Sequence, residues 1–184
     1  MMANKFFERF SVFNLIMIAV VSALGIATKP IVVPLVHVIT GPLFIPGGAI
    51  AGGFYMFWLV LGTGLVRKPG TGTLIGLVQG ILVIATGTMG THGIMSLVSY
   101  TLPGIVADVV FLFSKNKQYN ILHYVFGCMG ANVTGTLISN ILFFRLPLVT
   151  VILILSAAAL SGITGGLIAY LINRNLEKMN ILEE

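Results

Sequence analysis

Long apolar runs, separated by short clusters of charge, proline and glycine, make up almost the whole chain. The first run covers residues 10–27, with Lys5 and Arg9 before it and Lys29-Pro30 after it. Further runs cover residues 47–66, 69–86, 94–114, 119–144 and 148–172. A helix needs about 20 apolar residues to cross a bilayer, so the pattern predicts six short spans. The punctuation between them is Arg67-Lys68-Pro69-Gly70, a glycine-rich loop over residues 87–93, Lys115-Asn116-Lys117 and Arg145-Leu146-Pro147. Pro69 is placed to open the third helix. Residues 28–46 are also apolar, but they carry Pro30, Pro34, Pro42 and Pro46. Proline removes a backbone donor and clashes with the preceding turn. This stretch therefore reads as an ordered, lid-like loop or partial re-entrant segment.

Composition supports the spans. Of 184 residues, 57% are hydrophobic and 8% are charged, against about 25% charged in an ordinary soluble domain. Such a chain cannot cover itself with polar groups, so a soluble enzyme is excluded. Cys128 has no partner for a disulfide. The expected architecture is all-α: a single six-helix membrane domain over residues 1–184 in the lipid bilayer. Charge then orients it. Placing Lys5, Arg9, Arg67, Lys68, Lys115, Lys117, Arg174 and Lys178 in the cytoplasm leaves only Lys29 and Arg145 outside. By the positive-inside rule, both termini are cytoplasmic, in a prokaryotic plasma membrane. The net charge of +5 is thus a topology signal, and no nucleic-acid partner is expected. A cleaved signal peptide over residues 1–27 fits loosely, but removing it leaves five helices and spoils the charge balance.

The chemistry of catalysis is missing. Asp108 is the one acid at membrane depth, and His37, His92 and His123 lie far apart. There is no HExxH and no Walker lysine motif. The chain is expected not to be an enzyme and to use no cofactor or metal, so any ATP energy must come from a partner.

Several polar or small residues are candidates for binding. In the fourth helix, Thr101 and Asp108 differ by about 20° at helical spacing and share a face, flanked by Tyr100. Intramembrane carboxylates are costly and mark function by default. Asp108 suits an amine or amidine on a ligand, or a protonated structural role, although it lies only roughly 10 Å from the cytoplasmic end. Asn132, Thr136, Ser139 and Asn140 form a polar stripe on the fifth helix, which suits either a small polar ligand or a bonded helix interface. His37 lies within the proline-rich loop. Trp58 suits core packing, an interfacial belt or stacking on a planar ligand. Gln79 needs a partner, because an unpaired amide is costly in an apolar medium. In the first helix, Ala19, Ala23 and Ala27 make a double small-xxx-small register, either for packing within the bundle or for docking a partner's helix.

Six short spans, both ends inside, no ATPase motif and this alanine pattern resemble the substrate-binding S components of energy-coupling factor (ECF) vitamin transporters. Arg67-Lys68-Pro69-Gly70, the small-residue helix after it, the glycine-rich loop and a fourth helix ending in Asp108-Val109-Val110-Phe111 are similar to S components for thiamine and its hydroxymethylpyrimidine precursor. In those the acidic residue is Glu. The resemblance covers residues 67–111 as sequence and nearly the whole chain as architecture. It implies a vitamin-binding subunit that takes its substrate from outside into a pocket formed by the outer halves of helices four to six and the first outer loop. It implies docking through Ala19 and Ala23, extended by Ala27, on a T component that carries two ATPase subunits. The cobalt/nickel branch binds metal through an early His near its N-terminus; here the chain begins Met1-Met2-Ala3-Asn4-Lys5, which speaks against metal uptake. The competing functions are a self-sufficient secondary transporter or channel for a small polar solute, which would need an ionisable relay or inverted repeats, and a non-transport scaffold subunit.

Overall fold

The computed structural model describes residues 10–43, 45–87, 92–114 and 118–179. Lys5, Arg9, Lys115, Lys117 and most of the loop at residues 87–93 lie outside the described residues. So do residues 1–9, on which the metal argument rests and which carry the basic residues of the signal-peptide reading.

Among the described residues there are six α-helices: α1 Val12–Thr40, α2 Gly47–Val66, α3 Thr71–Thr86, α4 Ser96–Leu112, α5 Ile121–Ser139 and α6 Leu148–Lys178. Five are long and apolar enough to cross a membrane, counting α4 from Gly93 and α5 through Phe144, and α3 is a shorter apolar helix. The chain is thus an all-α, multi-pass membrane protein.

The proline-rich loop expected over residues 28–46 is corrected. α1 runs through both Pro30 and Pro34 and ends only at Thr40, followed by a 3-10 turn over Gly41–Leu43. Each proline forfeits one helical hydrogen bond, but an irregular loop in an apolar medium would expose many unpaired backbone groups. Membrane helices tolerate proline for that reason. Ser11 begins the helix by accepting the N–H of Asn14.

α2 is the central element. It touches every other helix, and most of its residues are buried. Its glycines allow this: a Cβ at Gly53 would strike the Ser161 backbone, and one at Gly165 would strike the Gly53 backbone. α2 and α6 therefore meet backbone to backbone, as small residues permit in membranes. Ser161 hydroxyl completes the joint, accepting the Gly53 N–H at 2.9 Å and donating to the Ile50 carbonyl.

Other boundaries shift for local reasons. α3 starts at Thr71, after Arg67 and Gly70 turn the chain in the left-handed region, at φ 54° and 89°; Pro69 precedes the helix instead of opening it. α5 starts at Ile121 because Asn120 caps it, accepting the N–H groups of Leu122 and His123. It ends in a wide π-turn over Asn140–Phe144. α6 continues past Ile172 to Lys178, where Glu177 pairs with Arg67 and accepts from Asn173 Nδ2 at 2.6 Å.

Candidate binding site

The corrected α1 carries Lys29, Val33 and His37 on one face, because a spacing of four residues repeats once per helical turn. This face borders a cavity of about 520 Å³ at the end of the bundle that holds the 3-10 turn. Gly47, Gly48 and Tyr55 of α2 form a second wall, His92 a third, and Ser139, Phe144 and Leu146 a fourth. The volume lies within the range of roughly 300–1,000 Å³ typical of small-molecule sites. A side cavity of about 70 Å³ shares Gly48, Tyr55, Ser139 and Phe144 with it and adds Thr136 and Ile154.

Lys29 is the lysine among the described residues of the cavity wall. Its ammonium donates to the Tyr100 hydroxyl at 2.7 Å. It lies 4.4 Å from the Tyr55 ring centroid and 4.0 Å from that of Tyr100. Tyr55 is positioned by its own hydroxyl, which donates to the Gly48 carbonyl at 2.9 Å. His92 stacks on Phe143 with centroids 4.0 Å apart, and its Nδ1 lies 3.3 Å from Ser99 Oγ. Its backbone N–H donates to Ser96 Oγ at 2.8 Å. Burial, and then the charge of Lys29, push the His92 imidazole pKa below its ordinary value.

The residues singled out from the sequence separate into groups. His37 lines the main cavity and Thr136 the side cavity. Tyr100 stands behind Lys29 as its acceptor. Asn140 holds the π-turn that carries Phe144, accepting the Leu146 N–H through its side chain at 3.1 Å. The others belong elsewhere. Trp58 is absent from the cavity wall and donates to Thr28 Oγ1 at 3.0 Å. Asn132 is buried between three helices, where its amide donates to the Ala49 carbonyl at 2.9 Å and the Ala158 carbonyl at 2.8 Å. Asp108 lies against the first turn of α3, at the opposite end of the bundle. A carboxylate beside the free N–H groups and positive dipole end of a helix is stabilised there, which accounts for its depth without a ligand.

Lys29 does not stand out in the sequence, because residues 28–46 read as a loop. The available signal was a lone basic residue inside an apolar segment on the side that holds few charges. Gln79 is buried and sits where a Cβ on Gly25 would strike its amide, so it fills space left by a glycine of α1.

Ala19, Ala23 and Ala27 are all exposed, while Ile18, Ser22, Gly25 and Ile26 face the bundle. Packing within the bundle is therefore not their role. Among the described residues, no three His, Cys, Asp or Glu side chains converge as a metal site.

Comparison with known proteins adds three findings. A family model described as "ABC-type cobalt transport system, permease component" matches residues 13–134, about two-thirds of the chain. A comparison with curated proteins finds no match. Among solved structures, the chain is similar in fold to a protein described as "Crystal structure of an S-component of ECF transporter", with a TM-score of 0.76 and 20% identity. The match covers 94% of this chain and 88% of that one.

Proposed function

Because the chain belongs to the family of permease components of ABC-type cobalt transport systems, we propose that it is the substrate-binding S subunit of an ECF-type importer in the cell membrane. The observation that carries the proposal is the cavity of about 520 Å³ at one end of a bundle with an S-component-like fold. The cavity end faces outward, both termini face the cytoplasm, and the whole of residues 1–184 acts as one domain. A T component and two ATPase subunits supply the energy. Ala19, Ala23 and Ala27 form the docking edge, which is exposed on α1.

The cargo is a vitamin or vitamin precursor of the thiamine type, thiamine itself or hydroxymethylpyrimidine. This rests on the sequence resemblance over residues 67–111 and on the aromatic and imidazole groups of the wall, Tyr55, His37, His92 and Phe144. The site residues of this reading are His37, Thr136, Tyr100 and Asn140, joined by Lys29 and Tyr55. Cobalt suits the wall poorly. The described lining offers two imidazoles but no carboxylate or thiolate, and an ammonium stands where a divalent cation would be repelled.

Two measurements test the proposal. Tagged protein expressed with its T component and ATPases is expected to co-purify with them. Emission from Trp58, the sole tryptophan, is expected to change on titration with a thiamine-related compound, because its bond to Thr28 places it one residue from Lys29. Purification without either partner, together with no response to any vitamin, refutes the assignment.

A further inference from the structure

Lys29 has no counter-charge among the described residues. The carboxylates described are Asp108 and Glu177. Asp108 is engaged by Gly72 and Thr73, and Glu177 by Arg67 and Asn173. Both lie at the end of the bundle away from the cavity. An ammonium has three N–H donors, and the contacts of Lys29 are the Tyr100 hydroxyl and the faces of two tyrosine rings. Placing a lysine at membrane depth is costly. The two rings offset part of that cost through cation–π attraction, and Lys29 also lines the cavity.

Resting on the S-subunit reading, we propose that Lys29 determines specificity: its ammonium donates to a hydrogen-bond acceptor on an uncharged or anionic heteroaromatic or carboxylate ligand, and the site rejects cationic ligands. Within the thiamine type this selects hydroxymethylpyrimidine, whose ring nitrogens and hydroxyl are acceptors, over thiamine, whose thiazolium carries a permanent positive charge. The same repulsion disfavours a free divalent metal. His37 and His92 line the same cavity and add ring nitrogens able to meet a second polar group, while Phe144 and Tyr55 offer flat apolar surface to a ring.

The test is a titration of the full chain in phosphatidylcholine nanodiscs, so that no net-anionic headgroup competes for Lys29. The probes are hydroxymethylpyrimidine, thiamine, pantothenate and Co²⁺, against the native protein, Lys29→Met and Lys29→Arg. Hydroxymethylpyrimidine is expected to bind at least about tenfold more tightly than thiamine, the scale of one like-charge repulsion between the Lys29 ammonium and the thiazolium. Lys29→Met should weaken it by a similar factor and improve thiamine, while Lys29→Arg stays within a few-fold of native. The native ratio needs no variant, so a misfolded Lys29→Met leaves the proposal open to refutation. Thiamine or Co²⁺ as the tightest ligand, indifferent to Lys29→Met, overturns the inference and leaves the S-subunit reading standing. Lys29-dependent binding of pantothenate alone upholds the inference and removes the thiamine-type assignment. Absence of any Lys29-dependent binding across the probes overturns it too.

Discussion

Asp108 caps α3 through Thr73: one carboxylate oxygen accepts both the Thr73 N–H at 2.7 Å and its hydroxyl at 2.6 Å, while the other accepts the Gly72 N–H at 2.9 Å. The joint ties α4 to α3 across 35 residues of sequence. Asp108→Ala leaves these buried donors unpaired. It should cost about 2–3 kcal/mol of stability, the scale of a lost hydrogen bond to a charged group, with ligand affinity changed less than about threefold. Unfolding in detergent and a ligand titration on the same variant check this. Normal stability with lost binding would put the carboxylate in the ligand site.

Asn132 clamps α2 and α6 to α5. Asn132→Ala should lower stability by about 1–2 kcal/mol, since interhelical hydrogen bonds in membranes are individually modest. Gly52→Ala should cost about 1–3 kcal/mol through overpacking, because its new Cβ would strike the Asn132 amide. The double variant should be less damaged than the sum of the two, as expected for residues in direct contact. Additive losses in unfolding midpoint would contradict the contact.

The alanine edge of α1 makes a separable prediction. Ala19→Trp and Ala23→Trp add bulk to an exposed surface, so the isolated subunit should fold and bind ligand normally. Assembly with the T component and ATPases should be lost, read by co-purification. Survival of the complex in both variants would move the docking surface elsewhere.

His92 gives the cavity a pH dependence of definite sign. Burial and Lys29 lower its pKa in the folded protein, so the unfolded chain takes up the proton more readily. The stabilising contribution is present above the unfolded value of about 6.5 and is lost as pH falls below it toward the folded value. The unfolding midpoint should decline as pH drops through that window, and His92→Gln should flatten the decline. An equal slope in both proteins would assign the effect to other groups.

The class of the protein was legible in the sequence because hydropathy acts residue by residue. Apolar runs long enough to span, few charges and proline- or glycine-marked turns predict helices close to α2, α3, α4 and α5. The role of the polar stripe is less legible. Asn132 and Thr136 lie one turn apart on α5 and Asn140 opens the π-turn after it, yet Asn132 is spent on Ala49 and Ala158, Thr136 reaches a side cavity, and Asn140 orders a turn. Spacing predicts a shared face, but which neighbour occupies that face depends on residues far away in the chain.

The same distinction separates Asp108 from Lys29. Composition and hydropathy by themselves predict an all-helical membrane chain with few ionisable groups. Tertiary structure decided what the remaining charges do. Asp108 stood out as the intramembrane acid, and the arrival of α3's free N–H groups beside it made it a cap. Lys29 was hidden in a segment that proline rules assign to a loop. Only the apolar surroundings, where an unpaired backbone costs more than two lost hydrogen bonds, kept α1 helical through Pro34 and turned Lys29, Val33 and His37 onto one cavity wall.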